Sequence, residues 1–225
     1  MSVRSAVSSA TPRELADLPY ASYLEPLRGD LEQEGDYNTV HADGTVFEDA
    51  EAGNAGFTES VFSSVTFTGG RMQRARFHDV WLHTVRWVGT DLAETSWLDA
   101  EVVSGALAGV AAFSAELRRV RFFDCKFDSV NWRTATLQEV QFVGCLLRGV
   151  DFGGARLTDV TFPGSTLEGV RLSKAQLKKV DLRGAAALGI AEGIEALKGA
   201  TIDHGQLLDL APLFAQALGV IVKDR

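Results

Sequence analysis

Every fifth residue from Phe57 to Leu182 is apolar, and that regularity excludes most of what a chain of this length can fold into. The series runs Phe57, Phe62, Phe67, Met72, Phe77, Leu82, Trp87, Leu92 and Trp97, then Val102, Leu107, Ala112 and Leu117. It continues through Phe122, Phe127, Trp132, Leu137, Phe142, Leu147, Phe152, Leu157 and Phe162 to Leu167, Leu172, Leu177 and Leu182. No polar residue or phase slip interrupts it in a chain that is only 46% hydrophobic. A helix repeats at 3.6 residues and a half-buried strand at 2, so a period of five fits neither. Each unit must make a short extended piece and a turn, with its central side chain pointing inward.

A second period gives the number of sides. Two residues before each centre lies a small position. Taken every twenty residues, one series reads Ala55, Ala75, Thr95, Ala115, Ala135, Ala155, Ala175, and the next Ser60, Val80, Ala100, Val120, Val140, Val160, Val180. Four five-residue units per coil put equivalent residues directly above one another, about 4.8 Å apart, as in parallel strands.

The run VDFGG-ARLTD-VTFPG-STLEG-VRLSK-AQLKK-VDLRG over residues 150–184 resembles the pentapeptide-repeat family, whose units read approximately A-(D/N)-L-X-X. The resemblance covers residues 45–190. It departs from the pattern in that Asp or Asn precedes the centre only at Asp91, Asn131, Asp151 and Asp181. What it implies is an all-β solenoid, a right-handed quadrilateral parallel β-helix with short helical caps. The expected organisation is an N-terminal tail and helical cap over 1–44, the β-helix over 45–190, and a C-terminal helical cap with a terminal strand over 191–225.

Coil ends expose unpaired backbone and need covers. Thr11-Pro12-Arg13-Glu14 reads as a capping box with proline at the first helical position, stopped by Pro19. Tyr20, Tyr23, Leu24 and Leu27 are expected over the first coil, and residues 1–10 are expected to be disordered. After Leu182, residues 191–198 read as a short helix and Ala200-Thr201-Ile202 as one more rung. Leu207, Leu210, Leu213, Phe214 and Leu218 then form an apolar stripe at helical spacing. Pro212 favours a start near Asp209 or a kink. Gly219 is a stop, and Val220-Ile221-Val222 a final strand. The stripe is a cap over the last coil, or a cap that also forms a homodimer contact; gyrase-binding relatives that pair through their C-terminal ends support the second.

No h-region or membrane-length apolar stretch is present, so the expected compartment is the cytoplasm. His41, His78, His83 and His204 read as solvated, and no nucleophile–base set or metal-ligand spacing stands out. The chain is therefore expected to be a non-enzyme without metal or cofactor. Cys125 and Cys145, twenty apart, stack on neighbouring coils as two small buried side chains, or at disulfide distance. Gly69, Gly89, Gly109, Gly149, Gly169 and Gly189 read as turn residues.

Two outer surfaces attract attention. One column holds Glu59, Asp79, Asp99, Arg119, Glu139, Asp159 and Lys179: a solvated face, or a strip of negative charge imitating a nucleic-acid backbone. The other follows the centres on one side and holds His83, Val103, Phe123, Val143 and Pro163, with Trp81 beside them. It is either an interaction face or a patch covered by the N-terminal segment. The net charge of −8 is concentrated early, with twelve acidic and three basic residues in 1–60.

The resemblance implies two kinds of partner and no direct contact with nucleic acid or membrane. Several bacterial members bind DNA gyrase and protect it from quinolones or other gyrase poisons, so a DNA-mimicking gyrase modulator is expected. The near-neutral charge of 61–200 weighs against it. The alternative is a scaffold that binds a non-gyrase protein through the apolar face.

Overall fold

The structure is a computed structural model describing residues 11–223; the disorder expected for residues 1–10 lies outside the described residues. The chain winds into a parallel β-solenoid of about eight coils. Three of its four sides are continuous parallel sheets, and the fourth is a chain of single bridges, Glu51↔Arg71↔Asp91↔Ala111↔Asn131↔Asp151↔Arg171. Except at the first and last strand pairs, neighbours in each sheet are twenty residues apart and in register: Phe57 pairs with Phe77 on the first face, Phe62 with Leu82 on the second, and Phe67 with Trp87 on the third. Both sequence periods are thereby explained.

The inward side chains form ladders. Tyr37, Phe57, Phe77 and Trp97 stack with ring centroids 5.0, 5.1 and 4.0 Å apart, and Phe122, Phe142 and Phe162 at 5.1 Å per step. Burying each large side chain contributes roughly 1.5–3 kcal/mol, and stacked aromatic pairs about 0.5–1.5 kcal/mol more. That gain offsets a cost at every corner. From Phe57 to Leu177 the residue two after each centre is left-handed whatever its identity, as at Glu59 (φ 46°), Arg74 (φ 58°), Asp99 (φ 55°), Gly109 (φ 61°) and Lys174 (φ 61°). For a non-glycine residue this costs roughly 1–2 kcal/mol. Five of the expected turn glycines sit at this corner; Gly189 lies instead inside the strand Ala187–Glu192, without a positive φ.

The coil is longer than the apolar series. Tyr37, Ala42, Phe47 and Ala52 continue the inward register upstream, and strand pairing begins at Glu25, twenty residues before the expected boundary. Downstream the register becomes irregular: Leu167 pairs with Leu188, twenty-one residues on, Val170 with Ile190, twenty on, and Arg171 with Glu192, twenty-one on. Ala200–Thr201 then adds the expected further rung against Val180 and Asp181.

The caps differ from expectation. The N-terminal helix is replaced by two one-turn 3-10 segments, Leu15–Asp17 and Ala21–Tyr23. The reciprocal cap joins Glu14 and Asp17 rather than Thr11 and Glu14. Pro19 forbids helical backbone at Leu18, so one turn is all that fits. At the other end, the expected helix over 191–198 is replaced by the end of the strand Ala187–Glu192 and a 3-10 turn, Ile194–Leu197. The C-terminal helix is His204–Ala217, capped by Asp203 and Gln206 and passing through Pro212. Gln206 Nε2 also donates to the carbonyl of Leu182 at 2.7 Å, covering the last residue of the inward ladder. Gly219 (φ 70°) ends the helix, with Val220 N–H on Ala215 O at 2.8 Å. Val220, Ile221 and Val222 follow as exposed irregular chain, not a strand. Beyond that turn they meet no strand edge to pair with. None of the described helices is long and apolar enough to cross a membrane.

Candidate interaction surfaces

The apolar side chains on the second face are not free. Trp81, Val103 and Phe123 are buried with Leu18 and Tyr20, and Leu15, Ala21, Leu24 and Val143 pack around them. The N-terminal segment runs up the outside of this face instead of lying over the first coil, which corrects the expected placement of Tyr20 and Leu24; Tyr23 points to solvent. Of the expected interaction face only His83, Val143 and Pro163 stay half-buried, and His83 stacks on Trp81 at 5.3 Å. The physical reason is area: a tryptophan and a phenylalanine standing outward on strands two rungs apart, with Val103 between them, are an exposed patch until an apolar segment covers them.

A polar lock holds the top of that segment. Glu101, the carboxylate beside Val103 on the same strand, is fully buried. It accepts the Arg13 backbone N–H at 2.6 Å and Arg13 Nε at 3.3 Å, and pairs with Arg121 Nη2 at 2.8 Å. Trp81 Nε1 donates to the Arg13 carbonyl at 3.2 Å. Both arginines remain about a third exposed, so the carboxylate is paired without taking two cations fully out of water. The Tyr20 hydroxyl is buried with no hydrogen-bond partner, a cost of about 1–3 kcal/mol. Burial pushes its pKa from 10.0 up to about 12, against a lowering by Arg13. Sequence reasoning missed this lock. The available signal was one carboxylate, Glu101, standing among apolar neighbours while Leu15 and Leu18 had no assigned place.

The acidic column forms the corner between the first and second faces, each member in the left-handed conformation. It is not a continuous negative strip. Arg119 grips Asp99 through two contacts of 2.6 Å, Lys179 lies 3.5 Å from Asp159, and His78 Nε2 lies 3.2 Å from Asp79. The Arg119 guanidinium holds the Asp99 carboxyl below the usual carboxylate range. His78, Asp79 and Asp99 bring ligand atoms within 4.8 Å of one another, a grouping across two coils that their spacing along the chain hides. Arg119 already occupies both Asp99 oxygens, so the group is an ion-pair cluster. The more strongly acidic surface is the first coil, where Asp30, Glu32, Glu34, Asp36, Asp43 and Glu48 are all exposed.

The C-terminal stripe divides. Leu210 is buried, and the half-buried Leu213 and Phe214 pack against the core, so these three serve the cap. Leu207 and Leu218 are exposed together with Leu208, Val220, Ile221 and Val222. Cys125 and Cys145 are buried free thiols. They do more than fill space: Gly105 N–H donates to Cys125 Sγ at 3.3 Å, and Cys125 Sγ lies within donating distance of Val102 O at 3.4 Å and Phe123 O at 3.2 Å. Ser165 repeats the arrangement two rungs after Cys125, taking Cys145 N–H and donating to Phe142 O, both at 2.8 Å.

With this geometry in hand, comparison with known proteins finds a family model described as a pentapeptide repeat region over residues 115–190. Similar solved structures include HetL, a pentapeptide repeat protein involved in heterocyst differentiation regulation from the cyanobacterium Nostoc. It is 18% identical, with 79% of this chain and 93% of that one covered and a TM-score of 0.31. A trypsin-treated form of QnrB1, a plasmid-mediated fluoroquinolone resistance protein, is 16% identical over 88% and 96%, with a TM-score of 0.40. A pentapeptide repeat protein from the Arabidopsis thaliana thylakoid lumen is 13% identical over 56% and 73%, at 0.36. No curated protein sequence matches the chain.

Proposed function

This chain is a pentapeptide-repeat protein, and from that premise we propose that it acts in the cytoplasm as a non-catalytic binder of another protein, using the ends of a rigid coil. The observation that carries the reading is the surface left at the C-terminal end. Leu207, Leu208, Leu218, Val220, Ile221 and Val222 are exposed in one stretch of chain, and apolar surface of that kind marks an interface. A second copy is its occupant, giving a homodimer joined at the C-terminal ends with the two acidic first coils facing outward.

The specific partner we favour is DNA gyrase, with the chain acting as a DNA mimic that modulates or protects it against quinolones or other gyrase poisons. The family resemblance supports this, as does the acidic first coil, which a basic nucleic-acid-binding surface attracts. The interruption of the corner column by Arg119 and Lys179 favours the second reading, a non-gyrase protein partner. A gyrase supercoiling assay with and without a fluoroquinolone separates them. Inhibition or protection at micromolar protein that fades as salt rises supports mimicry; neither effect removes it. Sedimentation of the wild type against Leu218→Asp tests the dimer, which should dissociate in the variant.

A further inference from the structure

We propose that the second face is a peptide-docking surface whose resident occupant is the chain's own residues 13–24. It takes in trans a segment of the same chemistry: a basic residue followed by apolar groups two, five and seven positions later, as in Arg13, Leu15, Leu18 and Tyr20. The reading above uses the ends of the coil and leaves this face covered, so the two stand independently.

The face has the chemistry of a receptor. Trp81 and Phe123 supply apolar area, and Trp81 Nε1 and the Glu101 carboxylate supply a donor and an acceptor for the ligand backbone at one point. Arg121 pairs with Glu101 Oε2 from the coil side, leaving Oε1 to accept a ligand backbone N–H while Oε2 is shared with the ligand's guanidinium. The occupant has the character of a ligand. Its backbone hydrogen bonds after Arg13 are made within the segment: Leu18 N–H to Leu15 O, Ala21 N–H to Leu18 O, Tyr23 N–H to Tyr20 O. Side chains and the Arg13 contacts therefore hold it, and the coil's own ladder is joined only at Glu25, which pairs with Val40. The segment is thus free to leave from that point without opening a sheet. Its fit is also imperfect, since the Tyr20 hydroxyl is buried without a partner and regains water on release.

A resident segment lowers apparent affinity for a competitor in proportion to the fraction of molecules in which the face is free. The test uses the full chain and a fluorescein-labelled synthetic peptide of residues 11–26, read by anisotropy. Arg13→Glu places a carboxylate against Glu101 and should release the resident segment, seen as fast hydrogen exchange over residues 15–24 with the coil's far-UV spectrum unchanged. That variant should bind the wild-type peptide at least about tenfold more tightly than the wild-type protein does. Adding Trp81→Ala should abolish binding. Leu18→Ser provides a second release variant with the same expected gain. Absence of peptide binding by both released variants overturns the proposal, and so does slow exchange over residues 15–24 in Arg13→Glu, since Arg13 would then not be the lock.

Discussion

The backbone N–H of Arg13 donates to the buried carboxylate of Glu101 at 2.6 Å across 88 residues of sequence, so one side chain of the coil decides where the N-terminal segment lies. Glu101 is the shared partner of Arg13 and Arg121. Removing it leaves two cations that are already partly solvated, so the loss falls on docking rather than on the coil. Glu101→Ala should weaken segment docking by about 1–3 kcal/mol. Hydrogen exchange should quicken over residues 15–24 and stay slow at the inward centres Phe122 and Phe142. Equal acceleration throughout would show that Glu101 supports the coil itself.

Tyr20 gives docking a pH limit. Its phenol stays neutral in the docked state up to about 12, against an ordinary value of 10.0. The released state ionises first, so docking is fully present below pH 10 and declines as pH rises toward 12. Trp81 fluorescence should change across that window. In Tyr20→Phe the change should vanish and docking should tighten, because the unpartnered hydroxyl is gone.

Corner strain and crowding separate at two glycines. Gly109 (φ 61°) has open space where a Cβ would stand, so Gly109→Ala should cost only the left-handed penalty, roughly 1–2 kcal/mol. Gly70 (φ 76°) would bring a Cβ within 2.5 Å of Ala50 N. Gly70→Ala should lower the denaturation midpoint clearly more, because a neighbouring coil must move.

The cysteines are turn supports. Burial pushes the Cys125 thiol well up, with Cys145 adding to the effect, so alkylation should be slow in the folded protein and fast once it unfolds. Cys125→Ser should lose little stability, because Ser165 makes the same contacts in the same column. Cys125→Ala, which leaves Gly105 N–H without its acceptor, should cost about 1–3 kcal/mol in chemical denaturation.

Much of this architecture is legible from periodicity, because a five-residue unit leaves one inward position and that position must be apolar on every rung. Phe57 to Leu182 carry that mark without interruption. The first coil is harder to see because small centres, Ala42 and Ala52, alternate with Tyr37 and Phe47 amid a run of acids. The extra residue before Leu188 hides the last coil in the same way. The site was less legible. Trp81 and Phe123 announce an apolar face, but its occupant is decided by a contact between Arg13 and Glu101 that no local pattern encodes. The acidic column illustrates the converse: spacing aligns its residues correctly, while the grip of Arg119 on Asp99 depends on side-chain reach.

The central claim is a rigid coil closing every twenty residues, and distances along one outward column test it most directly. Thr58, Gln138 and Lys178 lie on the first face, four and six coils apart. Spin labels on Thr58→Cys/Gln138→Cys and Thr58→Cys/Lys178→Cys should give narrow backbone-referenced distances near roughly 19 and 29 Å, at about 4.8 Å per coil. Broad distributions, or a separation that does not grow with coil number, would contradict the account.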